Sequence, residues 1–163
     1  MKNCFVFIIS FCMSIASIAQ SPYSNVKLQA KEDYKIAEPS VLKATKYLFT
    51  SKFDKDDLDR LYAIEFVLQW MGGTPDFNFE ISEKFTKPFV LDTDLLGLYM
   101  GAIVKYALEN RNQAKDIEKV NLNAAKMIID YSSKPVNNLK QTGELKKMAA
   151  AIKKGELEKY FEI

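Results

Sequence analysis

Two stretches of this chain leave little choice about its fold. Between Leu58 and Met71 the polar positions are Asp59, Arg60, Glu65 and Gln69, and from Leu95 to Val104 there is no charge at all. Both lengths suit helices, and a helix that is apolar nearly all round has to be enclosed by other helices. Two such elements in one chain call for a bundle in which they are central.

Start and stop signals set the limits of the helices. Asp54, Asp56 and Asp57 crowd the start of the first stretch, where the helix dipole favours negative charge. Gly72-Gly73-Thr74-Pro75 ends it, so the sequence predicts a helix over about 55–71. Asp92 or Thr93 caps a second central helix over about 93–110. Gly97 and Gly101 in it are spaced to let another helix approach closely. A further helix over about 114–131 carries Ile117, Val120, Ala124, Met127, Ile128 and Tyr131 on one side. Pro39 fits the first turn of a helix running to Thr50, and a last helix over 144–154 ends at Gly155. Phe77, Phe79 and Ile81 alternate with polar residues, but one strand cannot build a sheet. Residues 76–92 therefore read as an extended connector pinned by its aromatic side chains, with a helical turn near Ser82–Phe85. The expected fold is all-α: a single-domain bundle of about five helices with a short extended connector, residues 39–163, preceded by an extended lead-in over 20–38.

The first 19 residues read as a signal peptide. Met1-Lys2-Asn3 supplies one positive charge, and Phe5 to Ala19 is apolar or small. That run is about 15 residues, against the roughly 20 that a membrane-spanning helix needs. Ser17-Ile18-Ala19 places small residues for peptidase cleavage before Gln20. Of the 23 basic residues only Arg60 and Arg111 are arginine, a bias typical of AT-rich bacterial genomes. The expected location is periplasmic or secreted, with no stable membrane insertion after cleavage.

Composition then narrows the chemistry. The chain has no His, and its two cysteines, Cys4 and Cys12, both lie in the segment to be removed. The mature chain has no disulfide, no thiolate nucleophile and none of the common zinc ligand sets. It also lacks the imidazole that serves as a general base near neutral pH. Loss of Lys2 takes the formal charge from +2 to +1, which gives no case for a nucleic-acid partner. No cofactor or metal motif is present. The run of aspartates at 54–59 has no central glycine and leads straight into a helix, so it reads as capping rather than a calcium loop. Ser40-x-x-Lys43 matches a penicillin-binding motif, but the companion motifs are missing and the chain is too short for that fold.

The candidate site residues lie on the helix over 55–71. Glu65 and Gln69 are about 40° apart in helical projection, with Tyr62 beside them and Trp70 continuing an aromatic row. A carboxyl held there in a pocket would have a raised pKa and could act as an acid or ligand contact. Catalytic residues are otherwise absent, with Glu65 the one candidate. The leading expectation is a non-catalytic binding or interaction protein of the bacterial cell envelope, whose partner is another envelope protein or a glycan. The alternative is a carboxylate-based hydrolase acting on a glycan, which needs two carboxyls and no His, Cys or metal; Asp76 or Glu80 would then assist Glu65. Lys146, Lys147, Lys153 and Lys154 share one face of the last helix and could meet an acidic surface. Expression of the full chain in a bacterium is expected to yield a mature species beginning at Gln20. Intact mass of the purified protein checks this, and a species that keeps Met1 contradicts it.

Overall fold

The computed structural model describes residues 21–163; the expected signal peptide lies outside the described residues. Seven α-helices are found among them, with no strand. These are α1 (Lys31–Thr50), α2 (Leu58–Gly73), α3 (Glu83–Thr86), α4 (Thr93–Glu109), α5 (Ile117–Ser133), α6 (Gly143–Lys154) and α7 (Leu157–Tyr160). Short 3-10 turns at Arg111–Gln113 and Pro135–Asn137 complete the chain. Five of the seven are longer than two turns; α3 and α7 are single turns.

The extended lead-in is shorter than the sequence suggested, because α1 begins at Lys31 rather than at Pro39. Its start is set by Asp33, whose carboxylate accepts from the amides of Ala30 (2.9 Å) and Gln29 (3.1 Å). Those two bonds, Ala30 first, hold the Asp33 carboxyl below its ordinary pKa. Pro39 thus sits inside the helix. It removes one backbone donor, a loss made tolerable by its exposed position on the outer face.

α4 is the axis of the bundle, packing on α1, α2 and α5. From Gly97 to Val104 every residue is buried. Both glycines of this helix are close-packing positions. A Cβ at Gly97 would come within 2.8 Å of Ile64 on α2, and one at Gly101 within 2.8 Å of Leu48 on α1. A buried polar pair joins α4 to α5, where the Tyr99 hydroxyl donates to Asn121 Oδ1 at 2.5 Å. Burial pushes the Tyr99 phenol far above its usual pKa, so it remains a donor at any ordinary pH.

α1 and α2 are antiparallel, tied at both ends. At one end Trp70 Nε1 donates to the Tyr34 carbonyl at 2.7 Å. At the other Arg60, only 3% exposed, donates through one terminal nitrogen to the Leu48 carbonyl and to Ser51 Oγ, both at 2.9 Å. The connector after α2 is irregular, as the alternating pattern suggested, and Phe77 and Phe79 pack on Trp70 with ring centroids 5.7 and 6.2 Å away. Gly155 ends α6 in the left-handed conformation (φ 72°) that favours glycine. The tail beyond it docks, with Phe161 buried against Phe85.

Replacing Arg60 with Met is expected to lower the unfolding free energy by about 2–3 kcal/mol, because hydrogen bonds from a charged donor are lost in a buried setting. Lys126→Gln, on an exposed face of α5, should stay within about 0.5 kcal/mol. Urea denaturation measures both; equal stability of the two variants would contradict the role given to Arg60.

Candidate functional site

Three loops meet at one end of the bundle. They are residues 51–57 between α1 and α2, residues 87–92 before α4, and residues 134–142 between α5 and α6. Backbone and side-chain hydrogen bonds join them. The Phe53 amide donates to the Asn137 carbonyl at 2.7 Å, and Asn138 Nδ2 donates back to the Phe53 carbonyl at 3.3 Å. The Tyr131 hydroxyl donates to the Ser51 carbonyl at 2.7 Å. Lys55 bridges to Asp92 (2.8 Å) and Asp94 (3.3 Å) at the start of α4.

A cleft of about 610 Å³ opens between these loops. Phe53 and Leu139 form its apolar floor, and Asp54, Asp56, Lys140 and Thr142 are among its polar walls. The same end of the bundle carries exposed apolar side chains. Leu91 is 98% exposed, with Val90 beside it, and Leu58 and Leu61 project from the first turn of α2. Asp57 and Asp92 act as helix caps here, each accepting from the amides two and three residues on. Tyr47 also donates to Asp57 at 2.8 Å.

The residues singled out on α2 do not gather into a site. Glu65 and Gln69 are exposed on the outer face and line none of the clefts. Glu65 makes no ion pair among the described residues. Trp70 is 0% exposed and packs in the core, its Nε1 donating to the Tyr34 carbonyl. Tyr62 is half-buried. The helix also departs from the all-round burial expected of it, because Leu58, Leu61 and Leu68 remain in water. Arg60, one of the four polar positions of this helix, is enclosed at the end of α1. Glu80 is exposed on the connector, and Asp76 lines a second cleft beside Arg111 and Lys115. The lysine face of α6 is solvated, with Lys147 paired to Glu144.

Among the described residues no group of His, Cys, Asp and Glu could hold a metal ion. No described helix is long and apolar enough to cross a membrane. Comparison of the chain with protein-family models, curated proteins and solved structures gives no match.

The bridge from Lys55 gives the three-loop end a pH signature. Burial alone would raise the Asp92 carboxyl, but the Lys55 ammonium and the amides of Leu95 and Asp94 outweigh it and hold the pKa below its ordinary value. Hydrogen bonding to Asp92 holds Lys55 above its ordinary value. The depressed carboxyl stabilises the fold above the unfolded value of about 4 and stops doing so as pH falls through the folded value. The raised ammonium stabilises it below about 10.4 and stops doing so as pH rises through the folded value. The melting temperature of Lys55→Met should therefore lie below that of the native protein between about pH 5 and 9, and the gap should close below about pH 4. Thermal melts across this range test it; a gap that persists unchanged into acid contradicts it.

Proposed function

We propose that the protein is a non-catalytic binding protein of the bacterial cell envelope, and that the three-loop end of the bundle meets its partner. The observation that carries this reading is the exposed Leu91 together with Val90, Leu58 and Leu61, carried on the same loops and helix start that form the three-loop end. A single leucine in water is ordinary. Four large apolar side chains at one end of a small domain are a different matter. Covering Leu91, which is almost fully exposed, would recover about 1.5–3 kcal/mol, and covering the three half-exposed side chains somewhat less each; apolar surface gathered in one region marks contact sites. The surface is also held rigid by the bonds among its loops, so little ordering would be needed on binding.

The chemistry of the mature chain supports binding over turnover. It has no imidazole and no thiol. A glycan hydrolase built on Glu65 would need that carboxyl enclosed and a second one roughly 5–10 Å away. Glu65 stands in water on the outer face of α2 instead. The envelope location rests on the signal-peptide pattern of residues 1–19 and is part of the proposal.

Photocrosslinking in the source bacterium tests the reading. A crosslinking side chain at position 91 is expected to give a discrete adduct in the envelope fraction, and the same group at position 126 is expected to give none. The adduct should disappear in a Leu58→Ser, Leu61→Ser background that keeps its melting temperature. Equal labelling from both positions, or no adduct from position 91, would sink the proposal.

A further inference from the structure

We infer that the cleft between the connector and the 3-10 turn at Arg111–Gln113 binds a small carboxylate carrying an apolar group. This cleft, of about 430 Å³, is separate from the three-loop end. Its lining includes Pro75, Phe77 and Ile117 as apolar surface, with Arg111, Lys115 and Asp76 as charged groups.

Arg111 is the centre of the argument. Where nearly every basic residue is lysine, a guanidinium stands out at positions that use its planar fork. The other arginine, Arg60, is enclosed at the end of α1, out of reach of a ligand. Arg111 spends only part of its fork. It pairs with Glu38 through Oε2 alone, while Glu38 Oε1 is buried without a partner among the described residues. The two-bond arrangement open to an arginine and a carboxylate is therefore not made, and donor capacity remains at the lining of the cleft. The guanidinium lies 5.0 Å from the centre of the Phe77 ring, a contact that holds its plane. Glu38 and Phe77 thus position Arg111, and Lys115 adds a second cation on the same lining without an ion pair among the described residues.

The charges select the ligand. Glu38, Asp76, Arg111 and Lys115 sum to zero, so a dianion such as phosphate finds no surplus of positive charge. A monoanionic carboxylate can take the free donors of Arg111 while its apolar body lies on Phe77 and Ile117. Asp76, which the sequence suggested as an acid beside Glu65, contributes here as a neighbour that disfavours doubly charged ligands.

The chain supplies its own reporter. Its one tryptophan, Trp70, lies 5.7 Å from Phe77, ring centre to ring centre. Titration of the mature protein with phenylacetate is expected to change Trp70 fluorescence in a saturable way, and phenethylamine at the same concentrations is expected not to. Arg111→Gln should weaken phenylacetate binding by about tenfold or more, and Arg111→Lys, which keeps the charge but loses the fork, should weaken it as well. Both variants are first checked for an unchanged melting temperature. If Arg111→Gln lowers it, Lys115→Gln gives the independent test, with an expected loss of several-fold. The inference is overturned if phenylacetate gives no saturable change, if phenethylamine binds equally well, or if inorganic phosphate displaces phenylacetate at equal concentration. These outcomes leave the three-loop end untouched, since neither the probe nor the variants involve it.

Discussion

The guanidinium of Arg60 is the contact on which the rest of this bundle depends. The last carbonyls of a helix lack intrahelical partners and carry the negative end of its dipole. α1 has no basic residue in its own last turn. The cation comes instead from the first turn of α2, folded back over the end of α1, and lies 5.2 Å from the ring centre of Phe53. One side chain thereby closes the α1–α2 hairpin and fixes residues 51–53. Tyr131 and the 137–138 segment then bond to that loop, so α5 and α6 inherit their positions from it. The Tyr131 phenol is pushed up by burial, against a lowering effect of the neighbouring Arg60 cation.

The opposite requirement operates along α4. There the constraint is space rather than charge. Gly97 and Gly101 let α2 and α1 approach until Ile64 and Leu48 fill the room a side chain would take. Close packing by three neighbours buries Tyr99 and Asn121, and a polar atom so buried must find a partner. Tyr99 and Asn121 are such partners, and Asn121 also donates to the Ile117 carbonyl at 2.7 Å. Their bond favours one register of α4 against α5, since a shifted register would leave both groups buried and unpaired. A core fixed in this way leaves functional variation to the ends and the outer faces, where both clefts lie.

Much of this was readable from residue order. The absence of charge from Leu95 to Val104 implied a central helix, and the one-sided stripe of α5 implied a surface one. Phe77 and Phe79 could be assigned to a connector because a lone alternating segment has nothing to pair with. Where the reading failed, a local signal had been given a meaning that depended on partners far along the chain. Pro39 resembles a helix start, but Asp33 capped the helix earlier. The enclosure of Arg60 had no local sign, because its partner carbonyl belongs to Leu48, twelve residues away. Arg111 had no local pattern at all. Its partner Glu38 lies 73 residues away, and only its rarity in a lysine-rich chain could have marked it.

By itself the sequence determined the helical class, the order and approximate limits of the longer helices, and the absence of His and Cys from residues 20–163. These follow from periodicity, caps and residue inventory, which are local or compositional properties. Tertiary structure decided which side of α2 meets water, which of its polar residues is enclosed, and which charged groups share a cleft. Those outcomes depend on the close approach allowed by two glycines and on hydrogen bonds between residues distant in sequence. Such bonds form only after the helices are packed, so no window along the chain contains them.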